Sequence, residues 1–250
     1  MTAPRVVTPE ILDHLAANDP AAIRSRRDLV RIHRAMRTRR IVSQGWQSVV
    51  SAKSASEPLR ILEMGAGDGT LLLGVAQSLA PRWPRVQLTL LDRVNIVDPA
   101  TLAAYDALGW TTHVLVADAL DWAAQPGMDG ADPQPGRTSS RWDLVSTALF
   151  LHHFKGAPLD MLLYAVASRS DRFFACEPNR SWQALAGSHL VGAIGANAVT
   201  REDAVLSVRA GFRSHEISAR WPQVGSAWQT QEFAAGLFSH CFSARRTGIN

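Results

Sequence analysis

The chain of 250 residues is 46% hydrophobic and 19% charged, which fits one α/β domain with a full core and excludes two large domains. Its two cysteines, Cys176 and Cys241, lie far apart without metal-ligand spacing, so we expect reduced thiols, a buried Cys176 and a cytoplasmic location. No run approaches about 18 consecutive apolar residues and no cleavable leader pattern is present, so we expect no membrane insertion.

The N-terminal region, residues 1–55, is predicted to be mainly helical. Pro9 is expected to begin a first helix, and Asn18-Asp19-Pro20 to separate that helix from the next one. Residues 51–58 are polar and predict a linker into the first strand of the chain.

Basic charge is concentrated in the second predicted helix. Residues 24–40 hold eight arginines and one acid, Asp28, a charge of +7, so the net charge of +4 leaves −3 for the rest of the chain. Leu29, Ile32 and Met36 recur at helical spacing, which predicts an amphipathic helix with arginines on its outer face. Such a face suits nucleic acid or an anionic membrane. No aromatic residues alternate with the arginines as base stacking requires. We therefore favour a solvated face, with one or two arginines closing a ligand pocket, and expect no nucleic-acid partner.

A glycine-rich stretch follows the linker, Ile61-Leu-Glu-Met-Gly-Ala-Gly-Asp-Gly-Thr70, and leads into a helix-like pattern. It predicts a strand, a tight loop and a helix, the first βα turn of a nucleotide-binding α/β sheet. Glycine allows the sharp turn and the close approach of backbone N–H groups to a ligand. A dinucleotide site reads Gly-x-Gly-x-x-Gly, whereas this loop reads Glu-x-Gly-x-Gly-x-Gly.

Later apolar runs end in polar residues. The predicted strands are residues 86–92, 113–119, 142–147 and 172–178. Asp92 closes the first of these runs 23 residues after Gly69, near the spacing at which an acid reaches a ribose diol. Asp118 and Ala119 close the second run. Residues 125–141, rich in Pro, Gly and Asp, predict an exposed loop before the third.

The C-terminal part shows weaker alternation. Thr200-Arg-Glu-Asp203 predicts a capping box with Thr200 as N-cap of a helix that Gly211 ends. Gly211–Ile217 and Ala235–Phe242 are the last two predicted strands.

The glycine loop with its glutamate resembles motif I of the class I S-adenosylmethionine-dependent methyltransferases, and the resemblance covers residues 59–245. It implies a Rossmann-like, seven-stranded, mostly parallel sheet with an antiparallel last strand, a cap formed by residues 1–55, and a methyltransferase domain over residues 56–250 with a lid-like insertion at 181–200. It implies S-adenosylmethionine as the cofactor, with Asp118 bonding the adenine amino group. The predicted cofactor-binding residues are Glu63, Gly65, Ala66, Gly67, Asp92, Arg93, Asp118, Ala119 and Thr147.

Two adjacent histidines follow the fourth strand. The stretch Leu-His152-His153-Phe resembles bacterial small-molecule methyltransferases of secondary metabolism, although Ala148 stands where those proteins often have a cofactor-contacting Asn. A hydroxyl acceptor must lose a proton, so His152 and His153 are the predicted catalytic residues, with helix capping or surface packing as the alternative. His189, in the expected lid, is a second candidate. Glu177, after the fifth strand, is expected either to hydrogen-bond the acceptor or to brace Arg180. Displacement at a sulfonium needs no metal, so none is predicted.

The predicted function is methyl transfer to a small-molecule acceptor, first of all O-methylation of an aromatic or polyketide-like hydroxyl. The alternatives are an RNA or protein methyltransferase guided by the arginines, an NAD-dependent Rossmann oxidoreductase, and an inactive cofactor-binding partner. The glycine spacing disfavours the oxidoreductase, and the absence of Asn/Asp-Pro-Pro-Tyr disfavours adenine methylation. The acceptor atom and homodimer formation stay open.

Overall fold

The computed structural model describes residues 4–50, 58–125, 141–222 and 228–248. Within them, the strands are β1 Leu59–Met64, β2 Val86–Asp92, β3 Trp110–Val116, β4 Leu144–Ala148, β5 Arg172–Pro178, β6 Trp228–Ala235 and β7 Ser239–Arg246. The α-helices are α1 Pro20–Ala35, α2 Thr38–Val49, α3 Thr70–Leu79, α4 Pro99–Asp106, α5 Ala119–Ala124, α6 Ala157–Arg169, α7 Trp182–Leu190 and α8 Ala198–Ala210.

The strands form one seven-stranded sheet in the order β3-β2-β1-β4-β5-β7-β6. Strands β1 to β5 pair in parallel, whereas β7 runs antiparallel to both of its neighbours, β5 and β6. This arrangement confirms the predicted mostly parallel sheet with an antiparallel last strand. The order reverses between β1 and β4, so the carboxyl ends of these strands border the crevice where open α/β sheets bind ligands.

Helices cover both faces of the sheet, and alternate strand residues serve two cores. Ile61 points into a core with Trp46 of α2 and Val75 of α3. Its neighbour Leu62 points into the opposite core, with Leu162 of α6. Strands buried on both faces explain the continuous apolar runs seen in the sequence. The predicted burial of Cys176 is confirmed, and it pairs in register with the equally buried free thiol Cys241.

The basic segment forms two helices that meet at Arg37, whose φ is +58°. Of its eight arginines, all but Arg26 are exposed, which confirms the predicted basic outer face. The inner face differs from the prediction. Helix α1 buries Ala22, Ser25 and Asp28, whereas the predicted apolar residues are only half-buried. Asp28 is held by polar partners, because its carboxylate accepts hydrogen bonds from Arg31 and from the Asn197 backbone N–H.

Two predicted helix starts are wrong. No α-helix begins at Pro9, where the described chain forms only a 3-10 turn at Leu12–His14. Helix α8 is capped by Asn197, whose side chain accepts the Thr200 N–H at 2.8 Å, rather than by Thr200. Thr200 lies inside the helix, and its hydroxyl bonds to Ser25 of α1. An asparagine cap three residues earlier competes directly with the predicted capping box.

The final strands are shifted relative to the prediction. Gly211–Ile217 is not a strand. Its Ile217 N–H donates to the Glu232 carboxylate instead of to a sheet ladder, and only Phe212 forms an isolated bridge. The predicted strand at Ala235–Phe242 is instead a hairpin, since Ala235 ends β6, Gly236 turns with φ +71°, and β7 begins at Ser239. Strand β6 was missed because its residues are mostly exposed and polar.

The predicted linker 51–58 and the predicted loop 125–141 lie outside the described residues except at their ends. Among the described residues, no helix is both long enough and apolar enough to cross a membrane.

Candidate active site

The glycine loop connects β1 to α3 with three residues at positive φ, Gly65, Gly67 and Gly69. A Cβ on Gly65 would lie 2.3 Å from the Phe150 ring, so this position needs glycine for space as well as for its φ of +73°. A Cβ on Gly67 would meet no atom within 4 Å, so the loop is open to a ligand there.

Asp92 closes β2 directly beside this loop. Its Oδ2 accepts the Gly67 N–H at 2.8 Å, and its Oδ1 accepts the Val94 N–H at 3.3 Å. The carboxylate is therefore fixed by backbone donors at the loop that the sequence linked to it. Arg93, the next residue, is exposed and lies 3.9 Å from Asp13.

Glu63, at the end of β1, is a buried acidic member of the predicted cofactor set. Its pKa rises to about 8 because burial outweighs hydrogen bonds from Ser146 and the Ala148 backbone, and nearby Glu177 raises it further. Its Oε2 is buried without a hydrogen-bond partner among the described residues. A buried carboxyl with one unpartnered oxygen is costly unless a ligand completes it, so this position fits a ligand that donates hydrogen bonds.

The remaining predicted cofactor residues line the same sheet edge. Ala66 is half-buried in the loop, and Asp118 caps α5 by accepting the Leu120 N–H at 2.7 Å. Ala119 is buried beside it. Thr147, at the end of β4, donates to Glu177 at 3.4 Å.

Helix α1 brings His33 to this edge, a residue that the sequence analysis missed. Burial lowers the pKa of His33 to about 4, and Asp68 of the glycine loop partly offsets this effect. The His33 Nε2 is buried without a partner among the described residues. The helical periodicity placed this residue beside the apolar positions of α1, but it gave no reason to single it out.

A 3-10 turn at Leu151–His153 follows β4 and carries both predicted catalytic histidines. Glu177, at the end of β5, is fully buried and caps this turn by accepting the N–H groups of Phe150 and Leu151. Its Oε2 also lies 2.8 Å from the His152 Nδ1. Burial would raise the pKa of Glu177, but these donors outweigh it and hold the pKa below its usual value.

The N-terminal strap, residues 4–14, crosses this turn. Its Glu10 Oε1 lies 3.3 Å from the His152 Nε2 and also accepts the hydroxyl of Ser207 in α8. Both His152 nitrogens therefore face carboxylates. Burial lowers the pKa of His152, but the bonds to Glu10 and Glu177 outweigh burial and raise the pKa to about 9. His152 is thus a buried, paired imidazolium at neutral pH.

His153 differs from His152 in exposure. Its side chain is 24% exposed, and its Nδ1 lies 3.2 Å from the Asp13 Oδ2 on the strap. The two imidazole rings lie 4.2 Å apart between centroids. Glu10 and Asp13 were not found from the sequence, because no local pattern connects them to residues 152 and 153.

The strap is anchored further by backbone and side-chain hydrogen bonds, among them that of the Val6 N–H to the Arg209 carbonyl of α8. Arg5 donates to the carbonyls of Ala210 and His152. The N–H groups of Ile11 and Leu12 both donate to Asp203 of α8. The strap therefore extends from α8 across the turn after β4 towards Arg93.

Comparison with solved structures identifies the fold. The plantazolicin methyltransferase BpumL, solved with SAH, is 12% identical with a TM-score of 0.54 over 91% of both chains. An O-methyltransferase family protein from Burkholderia thailandensis is 16% identical with a TM-score of 0.59, over 93% of this chain and 62% of that one. The citrinin polyketide synthase CMeT domain is 14% identical with a TM-score of 0.50, over 77% of this chain and 48% of that one.

This chain has the class I methyltransferase fold. The resemblance inferred from the sequence is confirmed at the level of the fold. The chain spans less than two thirds of the length of the second and third of these structures. No protein-family model and no curated protein matches the sequence.

Relative to this fold, the predicted cofactor residues gather at the carboxyl ends of β1 to β4, and the histidines follow β4. A separate open cavity of about 680 Å³ is lined by the strap residue Arg5 and, among others, by Lys155, Phe212 and Arg220. None of the predicted site residues lines this cavity.

Proposed function

We propose that this chain binds S-adenosylmethionine and transfers its methyl group to a small-molecule acceptor, with an aromatic or polyketide-like hydroxyl as the first candidate. The observation that carries the proposal is the glycine loop with Asp92 fixed at its rim by the Gly67 N–H. The glycine spacing in the sequence and the position of Asp92 beside the loop both support this proposal, in a fold shared with methyltransferases.

The residues at the carboxyl ends of β1 to β4, called the cradle from here on, fit the cofactor by their chemistry. Asp92 is assigned to the ribose hydroxyls, and the Asp118 oxygen that does not cap α5 is assigned to the adenine amino group. The unpartnered oxygen of Glu63 is assigned to a donor of the methionine end. The proposed binding set is completed by the other predicted residues, Gly65, Ala66, Gly67, Arg93, Ala119 and Thr147.

The cofactor supplies an electrophilic methyl group on a sulfonium. The acceptor oxygen attacks this carbon, the carbon–sulfur bond breaks, and the hydroxyl proton passes to a base. Alignment of the two reactants accounts for roughly 7–11 kcal/mol of such a barrier. The strap serves this alignment by covering the turn after β4, and we propose that residues 1–55 act as a cap and residues 181–200 as a lid.

Proton transfer is assigned to the histidine pair. His153 is the proposed base because its ring is partly exposed and its Nδ1 is oriented by one carboxylate, Asp13. His152, held between two carboxylates, is a positioning residue that supports the His153 ring and binds the strap.

Calorimetry with S-adenosylhomocysteine tests the cofactor assignment. We expect micromolar binding, on the order of −8 kcal/mol. Asp92→Ala should weaken binding by about 1–3 kcal/mol because it removes charge-assisted hydrogen bonds to the ribose. Asp106→Ala, an exposed aspartate at the end of α4, is the matched control and should bind normally. Tighter binding of NADH than of S-adenosylhomocysteine would overturn the assignment in favour of an oxidoreductase.

A macromolecular acceptor is the second candidate, because the arginines of α1 and α2 form an exposed face. Affinity for RNA that survives about 200 mM salt would favour it. We expect RNA binding to be lost at that salt, and we expect radiolabelled methyl transfer to a panel of phenolic and polyketide-like compounds rather than to RNA or protein.

A further inference from the structure

We propose that Glu10, His152 and His153 bind a divalent transition-metal ion between the N-terminal strap and the turn after β4. Each residue offers one donor atom, and these atoms lie within 4.8 Å of one another. Two imidazoles and one carboxylate form a ligand set suited to zinc or ferrous ions. Binding of the ion is measured separately from methyl transfer.

The spacing of Glu10 and His152 fits a shared ion. Glu10 Oε1 and His152 Nε2 are 3.3 Å apart. Two ligands held about 2.1 Å from one ion at the tetrahedral angle are about 3.4 Å apart. An ion can therefore take the place of the proton between these atoms with little movement of either side chain.

The His152 ring is already oriented as metal-ligating histidines are. Its Nδ1 lies 2.8 Å from Glu177, which is fixed by the backbone N–H groups of the 3-10 turn. A carboxylate that accepts the Nδ1 proton leaves the Nε2 lone pair directed at the metal, and such outer partners set the orientation and basicity of the ligand. Asp13, 3.2 Å from His153 Nδ1, supplies the same kind of partner to the second ring.

The negative charge around the two imidazole rings and the exposure of one of them also suit a metal ion. Three carboxylates surround the two rings, those of Glu10, Asp13 and Glu177. Three protein ligands leave a coordination position open, and the partial exposure of His153 lets a small molecule approach it. If the proposed function holds, the acceptor hydroxyl would occupy that position, and the ion would acidify it in place of the His153 base.

Metal titration of the full chain, after treatment with a chelator, tests the site. We expect one Zn²⁺ per chain by calorimetry and visible absorption bands of a low-coordinate site on titration with Co²⁺. Glu10→Gln and His153→Gln should each weaken Zn²⁺ binding by about 100-fold or more, and Asp13→Asn by about 10-fold through its outer-shell bond.

Two matched controls separate this site from other surface groups. His113→Gln changes an exposed histidine of the edge strand β3, and Glu202→Gln changes an exposed glutamate of α8. Both should bind Zn²⁺ as the unchanged chain does.

Absence of stoichiometric binding by the unchanged chain would overturn the proposal, and the cluster would then be an ion-paired imidazolium alone. Equal binding by Glu10→Gln and His153→Gln would overturn it too. S-adenosylhomocysteine affinity, measured on the same samples, separates a failure of this site from a failure of the proposed function.

Discussion

Two regions lie at the same edge of the sheet: the cofactor cradle, and a histidine corner formed by His152, His153, Glu177 and the strap residues Glu10 and Asp13. These two regions are assembled differently. The cradle is formed by one strand–loop–helix unit, from β1 to α3, and by the end of the next strand, β2. The Gly67 N–H of the loop donates there to the Asp92 carboxylate. The histidine corner joins Glu10 to His152, which are 142 positions apart. Local backbone geometry therefore builds the first region, whereas the second exists only when the strap docks on the finished sheet.

Two buried glutamates extend this contrast. Glu63 ends β1 in the cradle, and burial raises its pKa to about 8. Glu177 ends β5 in the corner, and its pKa stays below the usual value although burial opposes this. Both side chains are almost inaccessible, so the difference comes from their partners. Glu177 accepts three backbone N–H groups and faces an imidazolium, whereas Glu63 has one oxygen without a hydrogen-bond partner among the described residues. The difference in pKa between the two glutamates therefore follows from their hydrogen-bond partners and not from their burial.

The largest expected effect concerns the exposed histidine of the corner. His153→Gln should lower turnover by about 10²–10⁴-fold, the usual contribution of a positioned base. Affinity for S-adenosylhomocysteine should stay nearly unchanged, since the cradle does not use this ring. Turnover is measured by methyl transfer to the acceptor found in the compound panel. His113→Gln is the control, and a change of only a few-fold in His153→Gln would show that alignment alone is sufficient.

Next in size is the pH dependence of folding set by Glu63. Burial raises its pKa from the ordinary 4.5 to about 8 in the folded chain, so the folded state binds the proton more tightly than the unfolded chain does. Its contribution to stability is complete below about pH 4.5 and is lost as pH rises towards 8, by an amount on the order of a few kcal/mol. Urea denaturation at several pH values measures this.

In the Glu63→Gln variant, the fall in stability between about pH 5 and 8 should be reduced. An unchanged profile would mean that Glu63 does not titrate in this range. Glu202→Gln, at an exposed position, is the control and should keep the profile of the unchanged chain.

The third prediction compares two glycines with nearly the same φ. Gly65 has φ +73° and a would-be Cβ 2.3 Å from Phe150, whereas Gly109 has φ +77° and no atom within 4 Å of its would-be Cβ. Gly109→Ala should cost about 1–2 kcal/mol for the left-handed conformation alone. Gly65→Ala should cost about 1–3 kcal/mol more because of the overlap with the ring.

Denaturation curves give both costs for the glycine variants. Adding Phe150→Ala to Gly65→Ala should remove much of the extra cost, because it removes the ring that the new methyl group meets. Equal losses in Gly65→Ala and Gly109→Ala would show that the Phe150 ring moves aside freely.

The cradle could be predicted because strand ends and glycine spacing are local features. Val86–Asp92 matches β2, and Arg172–Pro178 matches β5. The wrong or missed predictions, for the last strands and for the strap, share a physical cause. At Ile217 a distant carboxylate, Glu232, takes the backbone N–H that a strand would have used. The strap gave no periodic pattern, because its backbone is held by tertiary partners rather than by a helix of its own. The histidines were correctly placed after β4, but their pairing with strap carboxylates required the folded chain.

The smallest expected effect concerns the docking of the strap. It tests whether the contacts of the histidine corner depend on that docking. Asp203 accepts the Ile11 and Leu12 N–H groups at 2.8 and 3.0 Å, so Asp203→Ala leaves two strap donors without their acceptor. Loss of such bonds costs about 1–3 kcal/mol locally, which should speed hydrogen exchange of these amides roughly 10-fold to 100-fold. Glu202→Ala, the exposed neighbour on α8, should leave exchange unchanged, and Asp203→Asn, with one carbonyl oxygen left, should fall between the two.

Because Glu10 and Asp13 lie on the strap, its release should also disturb both histidines, whereas S-adenosylhomocysteine affinity should change little. Equal protection of the strap in all three variants would show that its docking does not depend on Asp203. The strap would then be held by the contacts of Arg5, Val6, Glu10 and Asp13.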